Sequence, residues 1–374
     1  MMAIPLRPRP GPVLVLVLPL LLSACAGFAP KRLYDDQIGY SGSLSDSQKA
    51  QTLLNAVRIR YGDSPVFLNT TQVISGYSLQ RSLSGTLTIL PGNNPANTVA
   101  GTPGVTMTQS PTFTFQPVTG AALAQSVIQP LSPAELLPLS LSGTPIDVLF
   151  RLAVQSVNGL QNSSMLDTAN RTGSPGFAHL LINLRRLQIA GLVHFRLGQT
   201  ESGGDPTKAA EPKDSTKAPT NLIISLPDSD DPQLQQVVVA TRTMLGLSAT
   251  RTEAEVVYGS GSPSPGTVSI LTRPILGVLG QIASEIQVSP QDVAEHRTIP
   301  TVDDSAILSR PTIIIHNGDK PPHDAFSSVR YHDRWYWIAD TDFDSKLAFS
   351  VMQTLVSLAE TTQPSGTVVT IPAR

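Results

Sequence analysis

The sequence predicts an α+β fold, a mixed α/β body in which helices pack on a mostly antiparallel sheet. Three observations carry that prediction. Segments of helical and strand period interleave from residue 44 to the C-terminus, which favours a mixed globule. Of 374 residues, 40% are hydrophobic and 14% are charged, so a substantial core can form. The 32 prolines and 27 glycines point to many short elements joined by ordered turns, with no fixed repeat period. A formal net charge of -2 lacks the basic footprint of a nucleic-acid binder, so no nucleic-acid partner is expected.

The N-terminus opens with Arg7 and Arg9, followed by the apolar run Val13–Leu22 and then by Ser23-Ala24-Cys25. Positive residues, a short apolar run and small residues form the order of a secretory signal. The run is about half the roughly 20 residues that a spanning helix needs. Leu22-Ser23-Ala24-Cys25 resembles the lipobox of bacterial lipoproteins. In such signals the cysteine receives a diacylglycerol, the preceding peptide is removed and the new amino group is acylated. The resemblance implies a signal peptide over 1–24, a lipidated tether over 25–43 and a globular domain over 44–374, held at the membrane through Cys25. More than one acyl chain makes such an anchor stable. Ala26, where aspartate would retain the chain at the inner membrane, implies sorting to the outer membrane. Cys25 is the only cysteine. Once acylated, it leaves no thiol for a disulfide, a metal thiolate site or a cysteine nucleophile.

Leu53, Leu54 and Val57 predict a helix from Ser47 to about Tyr61, stopped by Gly62. Ser64–Gln80 and Ser84–Leu90 read as extended chain, and Pro91–Gly104 as a Pro/Gly/Asn loop. Phe113 and Phe115 alternate as in a strand. Gly120–Gln129 reads as a short helix, and Ser132-Pro133-Ala134-Glu135 as a capping box. Residues 145–157 fit a helix slightly better than a strand. The stripe Phe177, Leu180, Leu181, Leu184 and Leu187 predicts a helix over Ser174–Ala190, closed by Gly191.

Residues 198–220 contain no large apolar side chain and read as a disordered insertion between two strands that can pair as a hairpin. Helices are then predicted from Asp231-Pro232 to about Leu245, over Thr272–Ile286 and from Ser289-Pro290. "TEAEVVYG" alternates as a strand. "PTIIIHNG" has the continuous apolar character of a strand inside a sheet. Val329–Tyr331 and Trp335–Ile338 form a predicted hairpin, Ser345–Glu360 the last helix and "GTVVTIP" the last strand.

The segment "VRYHDRWYWIADTDFDSKLAFSVMQTLVSLAETT", with "GTVVTIP" after it, resembles the C-terminal end of a group of uncharacterised bacterial outer-membrane lipoproteins. "LNAVRIRYGDSPVFLNTTQVISGYS" is similar to their N-terminal region, and "ILTRPILGVLGQIASEI" to their middle helix. The resemblance spans most of the mature chain and leaves out the insertion at 198–220. It implies a lipid-anchored envelope protein facing the periplasm, and carries no assigned activity.

"RYHDRWYWIADTDFD" is the richest local cluster. Trp335 and Trp337 share one strand face, which suits either a platform for sugar rings of peptidoglycan or lipopolysaccharide, or a packed core face. Asp340, Asp342 and Asp344 are spaced like the first ligands of a calcium loop, but the loop glycine and the final glutamate are missing. The stronger reading makes them caps of the helix near Ser345. His316 and His323 bracket a turn and lack a third zinc ligand. "GYSGS" and "GSGSPSPG" lack the nucleophile-elbow pattern, and Arg185-Arg186 reads as a solvated face. The expectation is a non-catalytic binding or structural component with no cofactor and no metal, whose partner is an envelope protein or peptidoglycan. Two alternatives stand beside it: a cell-wall glycan hydrolase using His332 with the three aspartates, and an accessory lipoprotein of a secretion or transport machine.

Overall fold

The computed structural model describes residues 28–88, 98–164, 173–199, 220–261, 264–301, 308, 310–360 and 369–372. Cys25, the predicted signal peptide and most of the insertion at 198–220 lie outside these residues. Within them the fold is α+β, as the sequence predicts, with helices around one six-stranded and two three-stranded sheets.

Helix α1 (Phe28–Arg60) begins well before Ser47, so most of the expected tether is helical. Pro30 sits in the first turn, where no backbone donor is needed, and no later proline interrupts the ladder. The C-terminal end of α1 enters the core through Leu53, Ala56, Val57 and Arg60. Gly62, at φ +78°, takes the left-handed conformation that ends it.

Strands β1 (Leu68–Thr88) and β2 (Thr98–Pro117) form one antiparallel ribbon. This corrects the sequence reading, in which two extended stretches precede a loop at 91–104: residues 98–104 are strand, and 91–97 lie outside the described residues. A single register runs from Gln72 opposite Thr114 to Thr88 opposite Thr98. Odd-numbered positions therefore share one face, where Val73 stands opposite Phe113, Leu79 opposite Met107 and Leu87 opposite Val99. Even-numbered positions share the other, where Ser78 stands opposite Thr108, Gln80 opposite Thr106 and Ser84 opposite Thr102. At the base, the Asn55 amide donates to the Val66 carbonyl at 2.8 Å and accepts from the Val66 N–H at 2.9 Å, tying the ribbon to α1.

The central sheet is built from β3 (Val154–Val157), β4 (Leu160–Gln161), β5 (His194–Gln199), β6 (Thr220–Ser225), β7 (Glu253–Tyr258) and β8 (Thr267–Thr272). Its order is β4-β3-β8-β7-β6-β5, with every neighbouring pair antiparallel except β7–β8. β5 and β6 pair across the insertion, as expected. β8 was absent from the sequence reading, because its apolar residues run on into those of the next helix.

Around this sheet lie α2 (Ile146–Ala153), α3 (Pro175–Ile189), α4 (Pro232–Met244) and α5 (Ile275–Glu285). Residues 145–157 are thus half helix and half strand. The predicted capping box at Ser132 and Glu135 is present. Ser174 and Asp231 each cap a helix whose first residue is proline, a start that satisfies an exposed donor and fixes φ.

Buried charge organises the interior. Arg60, Arg151, Arg242, Arg273 and Glu285 are all buried. The Arg273 guanidinium donates to the carbonyls of Arg151 (3.0 Å), Leu152 (3.4 Å) and Ser163. Burial pushes its pKa down to about 10, against the opposing charge of Glu285. Glu285 accepts from the N–H groups of Thr312 (2.6 Å) and Ile313 (3.1 Å) and from the Thr312 hydroxyl (2.8 Å). Ser345 Oγ accepts from the Ile314 N–H at 2.9 Å. "PTIIIHNG" is therefore not an interior strand along its length. Ile313 and Ile315 are buried, but side chains satisfy the backbone that a ladder would otherwise hold, and only His316–Gly318 (β9) pairs.

Glu285→Ala is expected to lower the stability of the fold by about 3–5 kcal/mol, since it strips the acceptor from two buried N–H groups and leaves Arg273 uncompensated. Urea denaturation followed by circular dichroism measures this.

Candidate functional site

The aromatic cluster sits on the small sheet formed by β10 (Ala325–Tyr331), β11 (Arg334–Ala339) and β9, in the order β10-β11-β9. His332 and Asp333 make the two-residue turn, with His332 at φ +47°. Along β11, Tyr336 and Ile338 are buried while Trp335 and Trp337 are half-buried on the opposite face. The core face of the strand is thus the Tyr336 face, and the tryptophans lie on the other. The Trp337 ring stacks on His316 with centroids 5.6 Å apart and reaches over Gly318, where an added Cβ would stand 3.0 Å from it.

The aspartates follow β11 and open helix α6 (Phe343–Glu360). Asp342 accepts from the Ser345 N–H (3.2 Å) and hydroxyl (2.6 Å), the contact of a helix cap. Arg310 donates to both carboxylate oxygens of Asp342 at 3.0 Å and to Asp344 at 2.5 Å. Lys346 holds Asp340 at 3.0 Å. Partial burial pushes the Asp342 carboxyl up, but the bonds from Ser345 and Arg310 outweigh it and leave its pKa below the ordinary value. Each aspartate already faces a cation, and among the described residues no group of three or more His, Cys, Asp or Glu is arranged to hold a metal ion.

His332 and these aspartates are not brought together. They lie at opposite ends of the six-residue β11, a separation of roughly 20 Å at about 3.3 Å per residue. His332 instead stacks on Tyr331, with ring centroids 4.2 Å apart.

The residues that gather around His332 escaped the sequence reading. Tyr61, at the end of α1, donates to Asp292 at 2.8 Å and shares a 2.6 Å bond with the Tyr336 hydroxyl. Tyr331 donates to Asp63. The Tyr61 and Tyr331 rings are 5.4 Å apart. With Arg297 and Arg334 they line a cleft of about 330 Å³. Rings, guanidiniums and carboxylates of this kind offer stacking and hydrogen bonds to a polar, ring-bearing ligand such as a sugar. Burial, reinforced by the bonds to Tyr336 and Asp292, pushes the Tyr61 phenol far above the usual tyrosine range. Burial and Asp63 do the same to Tyr331.

No protein-family model, curated protein or solved structure matches this chain.

Two expectations follow from the titrating groups. The raised phenol values stabilise the fold fully below pH about 10, where free tyrosine is neutral. Above it the unfolded chain ionises first, and stability falls as pH climbs toward the folded values. Alkaline unfolding should become shallower in the double variant Tyr61→Phe, Tyr331→Phe, as read by phenolate absorbance together with circular dichroism. At the other end of β11, the lowered Asp342 value contributes stability above pH about 4 that is lost as pH falls through the folded value. Arg310→Ala should cost about 1.5–3 kcal/mol at neutral pH and make acid unfolding less steep, as measured by denaturant titration at a series of pH values.

Proposed function

We propose that this chain is a lipid-anchored protein of the bacterial envelope, held at the outer membrane through Cys25. Its body acts as a non-catalytic binding or structural component facing the periplasm. The observation that carries this reading is Leu22-Ser23-Ala24-Cys25, placed at the end of a short apolar run behind two arginines. The half-exposed Trp335–Trp337 face and the tyrosine-lined cleft support a partner with sugar rings, such as peptidoglycan, or an envelope protein. The glycan-hydrolase reading loses its motive, because Asp340, Asp342 and Asp344 are engaged as cap and ion-pair partners and His332 lies at the far end of the strand. The accessory-subunit reading is favoured by the β1–β2 ribbon, whose strands of 21 and 20 residues pair, among the described residues, only with each other and with Val369–Pro372.

Metabolic labelling with palmitate tests the anchor. The wild-type chain should take up label and sediment with membranes. Cys25→Ser should take up none. An unlabelled wild-type chain would refute the anchor.

A further inference from the structure

The ribbon differs in kind from the rest of the molecule. Arg81 is the only charged residue in its two strands, whereas 14% of the whole chain is charged. The odd face is rich in Val, Leu, Met, Tyr and Phe, and the even face in Ser, Thr, Gln and Gly. One register runs without a shift from Gln72 opposite Thr114 to Thr88 opposite Thr98, and the two faces keep this bias along it. Ser75, Arg81, Gln109 and the Gly85–Gly101 pair interrupt it on the odd face, and Ile74 on the even face. Besides each other, among the described residues, the strands pair only with β12 (Val369–Pro372), which covers Thr112–Phe115 of β2.

A lone two-stranded ribbon is marginal in water, and open edges invite further strands. Alternation of apolar residues with small and uncharged polar ones is the pattern of strands that cross a bilayer inside a closed barrel. The length fits as well. Twenty residues at about 3.4 Å each, tilted as barrel strands are, rise about 50 Å, beyond a hydrocarbon core of about 30 Å. Two strands cannot close a barrel, so the missing strands must come from other chains, and equivalent edges are offered by further copies of this one.

We propose that the β1–β2 ribbon is a membrane-crossing hairpin, and that several copies of this chain set their ribbons side by side to close one β-barrel. The odd face meets lipid and the even face lines a water-filled lumen. Arg81 is the one charge the odd face carries, a cost to insertion, and a second arginine beside it at position 83 would add to that cost. Pro103 and Pro111 each remove one donor from β2, while β1 carries no proline and offers a complete edge. The proposal rests on the envelope-anchor reading only in that the anchor holds the ribbon beside a bilayer.

The test uses the full chain in its own membranes. Leu79→Cys, Ser82→Cys, Leu83→Cys and Ser84→Cys are treated with a water-soluble maleimide, read over the labelling of the parent chain. Ser82→Cys and Ser84→Cys should label, while Leu79→Cys and Leu83→Cys should stay protected until detergent is added. Purified wild-type protein should give stepwise conductance in a planar bilayer. Ser84→Arg should keep insertion and shift selectivity toward anions. Leu83→Arg should abolish insertion while its circular dichroism in detergent stays that of wild type. Equal labelling at both parities overturns the proposal, and so does absent conductance or crosslinking of the ribbon only to an unlike protein. Palmitate labelling separates the two readings: a labelled chain with a uniformly water-exposed ribbon sinks the barrel alone, and an unlabelled chain with alternating protection sinks the anchor alone.

Discussion

Buried positive charge is the constraint around which this body is organised. Four buried arginines face a single buried carboxylate, Glu285, among the described residues. Asp228 reaches Arg242 from the surface at 2.9 Å, and backbone carbonyls supply most of the remaining solvation. Arg60 donates to the carbonyls of Ser284 and Ile299, Arg242 to that of Leu226, and Arg273 to those of Arg151 and Leu152. Several of these carbonyls lie where helices or strands end and lack a ladder partner of their own. One fork of donors thus meets two needs, its own desolvation and the unmet acceptors of the chain ends. A lysine could serve fewer of them from a single position.

The same logic links the core to the surface. Arg151 donates to the Arg310 carbonyl at 3.0 Å, and Arg310 in turn grips Asp342 and Asp344 at the start of α6. On the far side of the small sheet, Tyr61, Tyr336 and Asp292 join the end of α1 to β11. The sheet that presents the tryptophans is therefore held at both ends by polar contacts and along its middle by Tyr336 and Ile338 in the core.

Much of this was legible in the sequence, and the rest failed for identifiable reasons. Serine or aspartate followed by proline announced the starts at Ser132, Ser174, Asp231 and Ser289, because cap and N1 proline act within one turn. The Asp342 cap was legible for the same reason. "PTIIIHNG" misled, because Glu285 and Ser345 supply acceptors that lie far away in sequence. The Tyr61 cluster could not be read at all, since Tyr61 and Tyr336 are 275 residues apart. In the ribbon, glycine and proline at 101–104 gave the signal of a loop, yet each is paired across the ladder, Gly101 with Gly85 and Pro103 with Leu83. Local turn chemistry yielded there to a register set over the full length of both strands.

The short strand β12 carries a consequence for how copies could line up. By occupying the outer side of β2 at Thr112–Phe115, it leaves a newcomer only the stretch from Pro111 toward the tip. The chain's own C-terminal segment thereby acts as an end stop. It converts an open-ended edge, on which a neighbour could slide by two residues at a time, into a rail with a fixed starting point.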